Sequence, residues 1–213
     1  MSNGFFITFE GGEGCGKSTQ ARLLSEELNS QGYNTILTRE PGGVSSAERI
    51  RKILVEGEKN SLFPMTELLL LFAARFEHVE RKIKPELNNG NIVICDRFYD
   101  SSLAYQGYGH GIDLNKIEHL KSLTIDSFQP DLTFLLDLPV MEGLSRSKRT
   151  NNKELRFENM DVSFHEKLQN GFNQIAKNNS TRFSIIDASQ SIEQIKKIIL
   201  NIVFDKITIN KEP

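Results

Sequence analysis

Five short runs of this 213-residue chain, at 5–9, 34–38, 91–95, 132–136 and 183–186, are almost continuously apolar. A strand with one wet face alternates polar and apolar residues; runs without that alternation suit a parallel sheet covered on both sides. The stretches between them are long enough for right-handed helical crossovers. Residues 65–87 read as one long helix with Leu68-Leu69-Leu70-Leu71 at its apolar centre. Four consecutive leucines cover every side, so this helix is expected to be buried on more than one face, by internal packing or by a second subunit. Residues 192–204 carry Ile192, Ile195, Ile199 and Ile202 on one face and read as a covering helix. The predicted architecture is a three-layer α/β sandwich: a five-stranded parallel sheet with helices on both faces, and ligands at the carboxyl ends of its strands.

The first apolar run leads into Gly11-Gly12-Glu13-Gly14-Cys15-Gly16-Lys17-Ser18, which fits G-x-x-x-x-G-K-[ST]. A helix-forming stretch from Ser18 and Thr19 to Leu24 follows. That strand–loop–helix setting makes the motif a P-loop and the sandwich a P-loop NTPase fold. Its glycines let backbone N–H groups turn inward around an anion, and the new helix adds its positive end. Residues Gly11 to Thr19 are therefore the expected triphosphate site. Lys17 is placed to reach the β/γ-phosphates, and the Ser18 hydroxyl to bind Mg²⁺.

Charge narrows the partners. Lys and Arg number 26 against 28 Asp and Glu, a net charge of −2, which gives no support to binding nucleic acid or a membrane surface. Cys15 lies inside the phosphate loop and Cys95 ends a strand; neither suits a structural bridge, so both are expected as reduced cytosolic thiols. No apolar leader opens the chain, and Glu10 and Glu13 come early, so no signal peptide is expected. The longest uninterrupted apolar run, residues 68–74, is too short to span a bilayer. With no repeat and no low-complexity linker, one domain over 1–213 is expected. The histidines, His78, His110, His119 and His165, show no metal-ligand spacing and receive no catalytic role.

The strand ends collect the remaining chemistry. After the second run comes Arg39-Glu40-Pro41-Gly42-Gly43: proline restricts the residue before it and the glycines free a sharp turn, either a plain one or a ligand-lining loop. Arg51, on the helix that follows, is a surface arginine or a ligand. Phe72 and Arg75 sit three apart and share a helix face. They are placed to stack a base and hold its polar edge, or else form a core ring beside a surface guanidinium. After the third run comes Asp96-Arg97-Phe98-Tyr99. An acidic residue at a strand's carboxyl end near a P-loop can organise the Mg²⁺ shell. Arg97 can grip a transferring phosphoryl group with its fork, or form a structural pair with Asp96. In a following helix Ser102, Tyr105 and Gln106 share a face, and Gln106 offers a base edge one donor and one acceptor. The basic stretch Arg146, Lys148, Arg149, Lys153 and Arg156 is a solvated loop or a mobile lid over phosphates.

Together, Phe9 through Thr19, Thr38 through Gly43, Phe72-Ala73-Ala74-Arg75, Asp96-Arg97-Phe98 and Ser101 through Gly107 resemble the thymidylate kinase family, over about residues 5–190. The P-loop is shared by many NTPases; the Arg39–Gly43 and Tyr105–Gly107 segments are far more specific. The resemblance implies a nucleoside monophosphate kinase that moves the ATP γ-phosphoryl group to dTMP, giving dTDP for dTTP synthesis. It implies a homodimer, and with the readings above the enzyme is expected in the cytoplasm with Mg²⁺ held at Ser18 and Asp96. The catalytic residues it implies are Glu13, Lys17, Arg97 and Arg156. Glu40, Pro41, Arg51, Phe72, Arg75, Arg97, Ser102, Tyr105 and Gln106 would form the dTMP site. Phe72 would stack on thymine, and Arg75 and Gln106 would read its edge beside Ser102. Tyr105 would fill the place of a 2′-hydroxyl. Arg51 and Arg97 would hold the acceptor phosphate, and Glu13 would help position the reacting groups. The loop has no arginine among Gly12 to Cys15. The bacterial-type branch carries that charge in a lid, here expected near 145–158, where Arg156 before Phe157-Glu158 matches best.

Two other functions compete. A different small P-loop kinase would act on a deoxynucleoside or another monophosphate, but Arg51, Arg75 and Arg97 favour an acceptor that bears a phosphate. A GTPase-type switch would need Asn-Lys-x-Asp, and Asn152-Lys153-Glu154-Leu155 lacks the final aspartate.

Overall fold

The computed structural model describes residues 4–55, 61–148 and 160–209. Among these, the five apolar runs become β1 Phe5–Glu10, β2 Thr35–Arg39, β3 Ile92–Asp96, β4 Leu132–Asp137 and β5 Phe183–Asp187. They pair in parallel as one sheet, in the order β2-β3-β1-β4-β5. Each strand runs one residue past its apolar stretch and ends on a charged side chain: Glu10, Arg39, Asp96, Asp137 or Asp187. Charge is thereby concentrated along one rim. The strand order reverses direction at β1, which places the switch point, and the expected ligand crevice, at the end of that strand.

Alternation along β1 feeds two cores. Phe6 joins Leu68, Phe72, Phe98, Leu168 and Phe172 on one face of the sheet. Ile7 and Phe9 join Leu24, Leu28, Phe134, Ile195 and Ile199 on the other. Thr8 is buried between them without strain on its hydroxyl, which pairs with the Thr133 hydroxyl at 2.8 Å.

The helices are α1 Lys17–Ser30, α2 Ser45–Val55, α3 Pro64–His78, α4 Lys84–Asn88, α5 Tyr99–Ser102, α6 Leu114–Thr124, α7 Val140–Ser147, α8 Val162–Asn178 and α9 Ile192–Ile209. The long helix expected over 65–87 is instead α3 and α4 joined by a π-helical turn, Val79–Ile83. A second π-helical stretch, Leu103–Gly109, continues α5. The second turn carries Tyr105 and Gln106 into the candidate site, a common place for such turns.

In the described single chain α3 buries Leu68 but leaves Leu69 50% exposed and Met65 and Phe76 exposed as well, so internal packing does not cover all of this helix. The face expected on α9 needs correction. On α9 the buried stripe is Ile195, Ile199, Val203 and Ile207, with Ile192 exposed and Ile202 only partly buried. The helix begins at Ile192, so its first residue lies at the sheet rim rather than over the core. Among the described residues, no helix is long and apolar enough to cross a membrane.

Candidate active site

The phosphate loop leaves β1 at the switch point and closes onto α1. Gly16 caps α1 at φ 94°, in the left-handed region. Gly14 also has positive φ, and a Cβ there would lie 2.1 Å from the Gly143 carbonyl oxygen. The loop is thus packed directly on α7. Lys17 is nearly buried and folds back to donate to the Gly12 carbonyl at 2.6 Å. The Ser18 hydroxyl donates to Asp96 Oδ2, across from α1 to the end of β3. Asp96 Oδ1 is buried with no hydrogen-bond partner among the described residues. A hydroxyl and a carboxylate with one buried oxygen unused, both at a phosphate loop, form a hard oxygen donor set, which fits Mg²⁺.

Beside this loop lies an open cavity with about 730 Å³ of empty space, partly continuous with solvent. Glu13, Glu40, Pro41, Arg51, Arg75, Arg97, Ser102, Tyr105 and Gln106 all line it. Their sequence separations reach from the first loop to the second π turn, and the fold brings them together. Phe98, Ser101, Val55 and Leu71 line it as well, which sequence reasoning missed.

Phe72 stands apart from this group. It is 1% exposed and packs within the core, its ring 6.2 Å from that of Tyr99. Leu71, four residues before Arg75, is the α3 side chain at the cavity wall in its place. Positions i+3 and i+4 both share a helix face, and here Phe72 turns inward to meet the Tyr99 ring. Its contribution is indirect: the Arg75 guanidinium carbon sits 5.0 Å from the Phe72 ring centre.

Arg97 is not paired with Asp96. Its backbone is left-handed at φ 67°, and its guanidinium turns to Glu13 Oε1 at 3.0 Å and the Gly11 carbonyl at 3.0 Å. The Tyr105 hydroxyl donates to the same Glu13 oxygen at 2.6 Å, while the Tyr105 ring lies 5.0 Å from the Arg97 guanidinium carbon. Burial alone would raise the Glu13 carboxyl, but Arg97 and Lys17, helped by the Tyr105 hydroxyl, hold it down at about 2. Glu13 is therefore an anion wedged between two cations.

The opposite wall is a buried polar network. Arg75, 2% exposed, donates Nε to Glu40 at 2.7 Å, Nη1 to the Ser102 hydroxyl at 3.1 Å and Nη2 to the Phe98 carbonyl at 3.1 Å. The other Glu40 oxygen meets His78 Nδ1 at 3.1 Å, and His78 Nε2 meets the Thr38 hydroxyl at 2.7 Å. A Cβ on Gly43 would come within 2.3 Å of that imidazole, so only glycine lets the loop cross it. Arg51 fastens the same loop by donating to the Pro41 carbonyl at 2.6 Å. Gln106 donates Nε2 to Glu67 at 2.6 Å, and its Oε1 is buried with no partner among the described residues. His78 and Glu67 were missed because each is a lone helical residue; their places on the α3 face of Arg75 and Leu71 were the available signal.

Of the basic stretch, Arg146 pairs with Glu142 at 2.6 Å and donates to the Ala188 carbonyl at 3.0 Å. Arg149, Lys153 and Arg156 lie outside the described residues.

The thymidylate kinase family model matches residues 9–199. The thymidylate kinase of Geotalea daltonii is 44% identical over 213 residues, covering 97% of this chain and 100% of its own. That of Caulobacter vibrioides is 43% identical, covering 97% and 99%. The crystal structure of a thymidylate kinase from Ehrlichia chaffeensis superimposes with a TM-score of 0.76 at 37% identity, covering 94% of this chain and 99% of that one. With loop, cavity and relatives agreeing along nearly the whole length, the chain belongs to the thymidylate kinase family.

Proposed function

We propose that this chain transfers the γ-phosphoryl group of ATP to dTMP, with the donor on the loop from Gly11 to Thr19 and the acceptor in the adjoining cavity. The observation that carries this reading is the Arg97–Glu13 ion pair, at 3.0 Å, on the wall between loop and cavity. An uncharged nucleoside needs no cation there, whereas a monophosphate does.

Phosphoryl transfer asks the protein for positioning and electrostatics rather than covalent chemistry. Lys17 neutralises the donor phosphates, and Arg97 and Arg51 hold the acceptor phosphate. Arg97 can give Glu13 up for phosphate oxygens, which match its fork equally well. Ser18 and Asp96 would hold Mg²⁺, which when bound neutralises charge on the β- and γ-phosphate oxygens. Arg75 and Gln106 read the thymine edge, with Ser102 near the ring and Leu71 as an apolar wall. Tyr105, fixed by Glu13, closes the sugar side against a 2′-hydroxyl. Arg156, on a lid near 145–158, adds charge over the transferred group.

The enzyme acts as a single-domain cytoplasmic protein and as a homodimer. Support for the dimer is the uncovered α3 face carrying Met65, Leu69 and Phe76, three large apolar side chains that are exposed in the single chain. ADP release from ATP with dTMP, dUMP, dGMP, AMP or thymidine as acceptor tests the reading. The expected result is fastest turnover with dTMP; strong turnover of thymidine with none of dTMP overturns it.

A further inference from the structure

We propose that Glu10 is a positioning residue for phosphoryl transfer: its carboxyl group holds the turn that carries Arg97 into the cavity. The inference rests on the catalytic reading of Arg97 above.

Arg97 occupies the left-handed region, with φ 67°, where a Cβ crowds the following carbonyl and the chain stays only if its surroundings insist. Two successive residues of β1 supply that insistence. The Phe9 carbonyl accepts from the Arg97 N–H at 2.9 Å. Glu10 Oε1 accepts from the next N–H, that of Phe98, at 2.7 Å. Glu10 Oε2 accepts from the Ser101 hydroxyl at 2.6 Å, and Ser101 Oγ in turn accepts from Arg97 Nη1 at 3.3 Å. One side chain therefore fixes both the backbone and the head group of Arg97.

Glu10 itself is 0% exposed and does not line the cavity, so it acts through Arg97. A buried carboxyl is costly unless its hydrogen bonds are needed; apart from Thr8, whose hydroxyl is paired, the rest of this strand is apolar. Burial, reinforced by the Asp100 carboxylate, pushes Glu10 up to about 8. Its hydrogen-bonding shape therefore matters more than its charge: the neutral carboxyl can turn its own hydrogen to the Ser101 oxygen, as a glutamine N–H can, so glutamine is expected to replace it better than alanine.

The test is kcat and dTMP KM for Glu10→Ala, Glu10→Gln, Arg97→Ala and the Glu10→Ala/Arg97→Ala pair. Displacing a catalytic group by an ångström can cost about 10²-fold, and Glu10→Ala is expected to lower kcat on that scale, with Glu10→Gln recovering most of the loss. In the Arg97→Ala background, Glu10→Ala should cost less than about threefold more, since the two act as one unit. Additive losses, or glutamine no better than alanine, overturn the inference while leaving the role of Arg97 intact. Full kcat in Arg97→Ala overturns that role and the inference together. If Glu10→Ala does not fold, Glu10→Asp, whose carboxyl is one methylene short of Phe98 and Ser101, takes its place in the cycle with the same outcomes.

Discussion

The Arg97 guanidinium lies 3.0 Å from the Glu13 carboxylate, so the exit of β3 and the phosphate loop are joined by one ion pair at the cavity wall. A carboxyl held at about 2 by Arg97 and Lys17, against burial, contributes stability that is present above its ordinary value of 4.5 and lost as pH falls toward 2. Glu10 has the opposite sign: raised to about 8, its contribution is full below 4.5 and lost as pH rises through 8. Thermal unfolding should separate them. Relative to the wild type, Glu13→Gln gains stability as pH is lowered from about 5 to 3. Glu10→Gln gains as pH is raised from about 5 to 9. Curves that stay parallel across both windows would contradict these assignments.

Arg75 and Glu40 are both almost fully buried, 2.7 Å apart. Removing one partner of such a pair strands the other and costs about 3–5 kcal/mol, roughly 6–20 °C in Tm for a domain this size. Arg75→Leu should therefore lower Tm on that scale and also raise the dTMP KM. The double variant Arg75→Leu/Glu40→Leu should recover part of the Tm without recovering the KM.

Arg156 is expected to act on the transferred group rather than on acceptor binding. Arginine fingers laid over a transferring phosphoryl group contribute about 10³–10⁵ in rate in GTPases. Arg156→Ala should lower kcat far more than it raises the dTMP KM in steady-state assays; a change confined to KM would remove the lid role.

Leu69 is half exposed on the open face of α3. Placing a charge at the core of an apolar interface disfavours association. Leu69→Glu should shift the mass measured by light scattering from two chains toward one, with the cavity residues untouched. A wild type that already scatters as one chain would refute the dimer.

The strands were legible because five runs lack the polar alternation of a half-wet sheet, and every one of them pairs. Their last residues were not, because Glu10 and Asp96 look like loop residues to a hydropathy reading while still belonging to the ladder. The P-loop could be read from its motif and Arg97 from its strand-end placement, whereas Glu40, Arg75, Tyr105 and Gln106, all at the cavity wall, stood open from the residues alone and entered the expected site through the family resemblance. The choice between Phe72 and Leu71 could not, since it depends on which of the two packs inward against Tyr99. The two π-helical turns leave no spacing mark in the chain. His78 meets Glu40 across 38 residues, and only the assembled fold brings the pair into contact.

Whether two nucleotides meet tail to tail across Arg97 is decided by a single inhibition measurement. The compound is adenosine joined to thymidine through a 5′,5′-linked polyphosphate chain. Competition against both ATP and dTMP is expected, with a Ki below either KM. Competition against only one of the two nucleotides would contradict it.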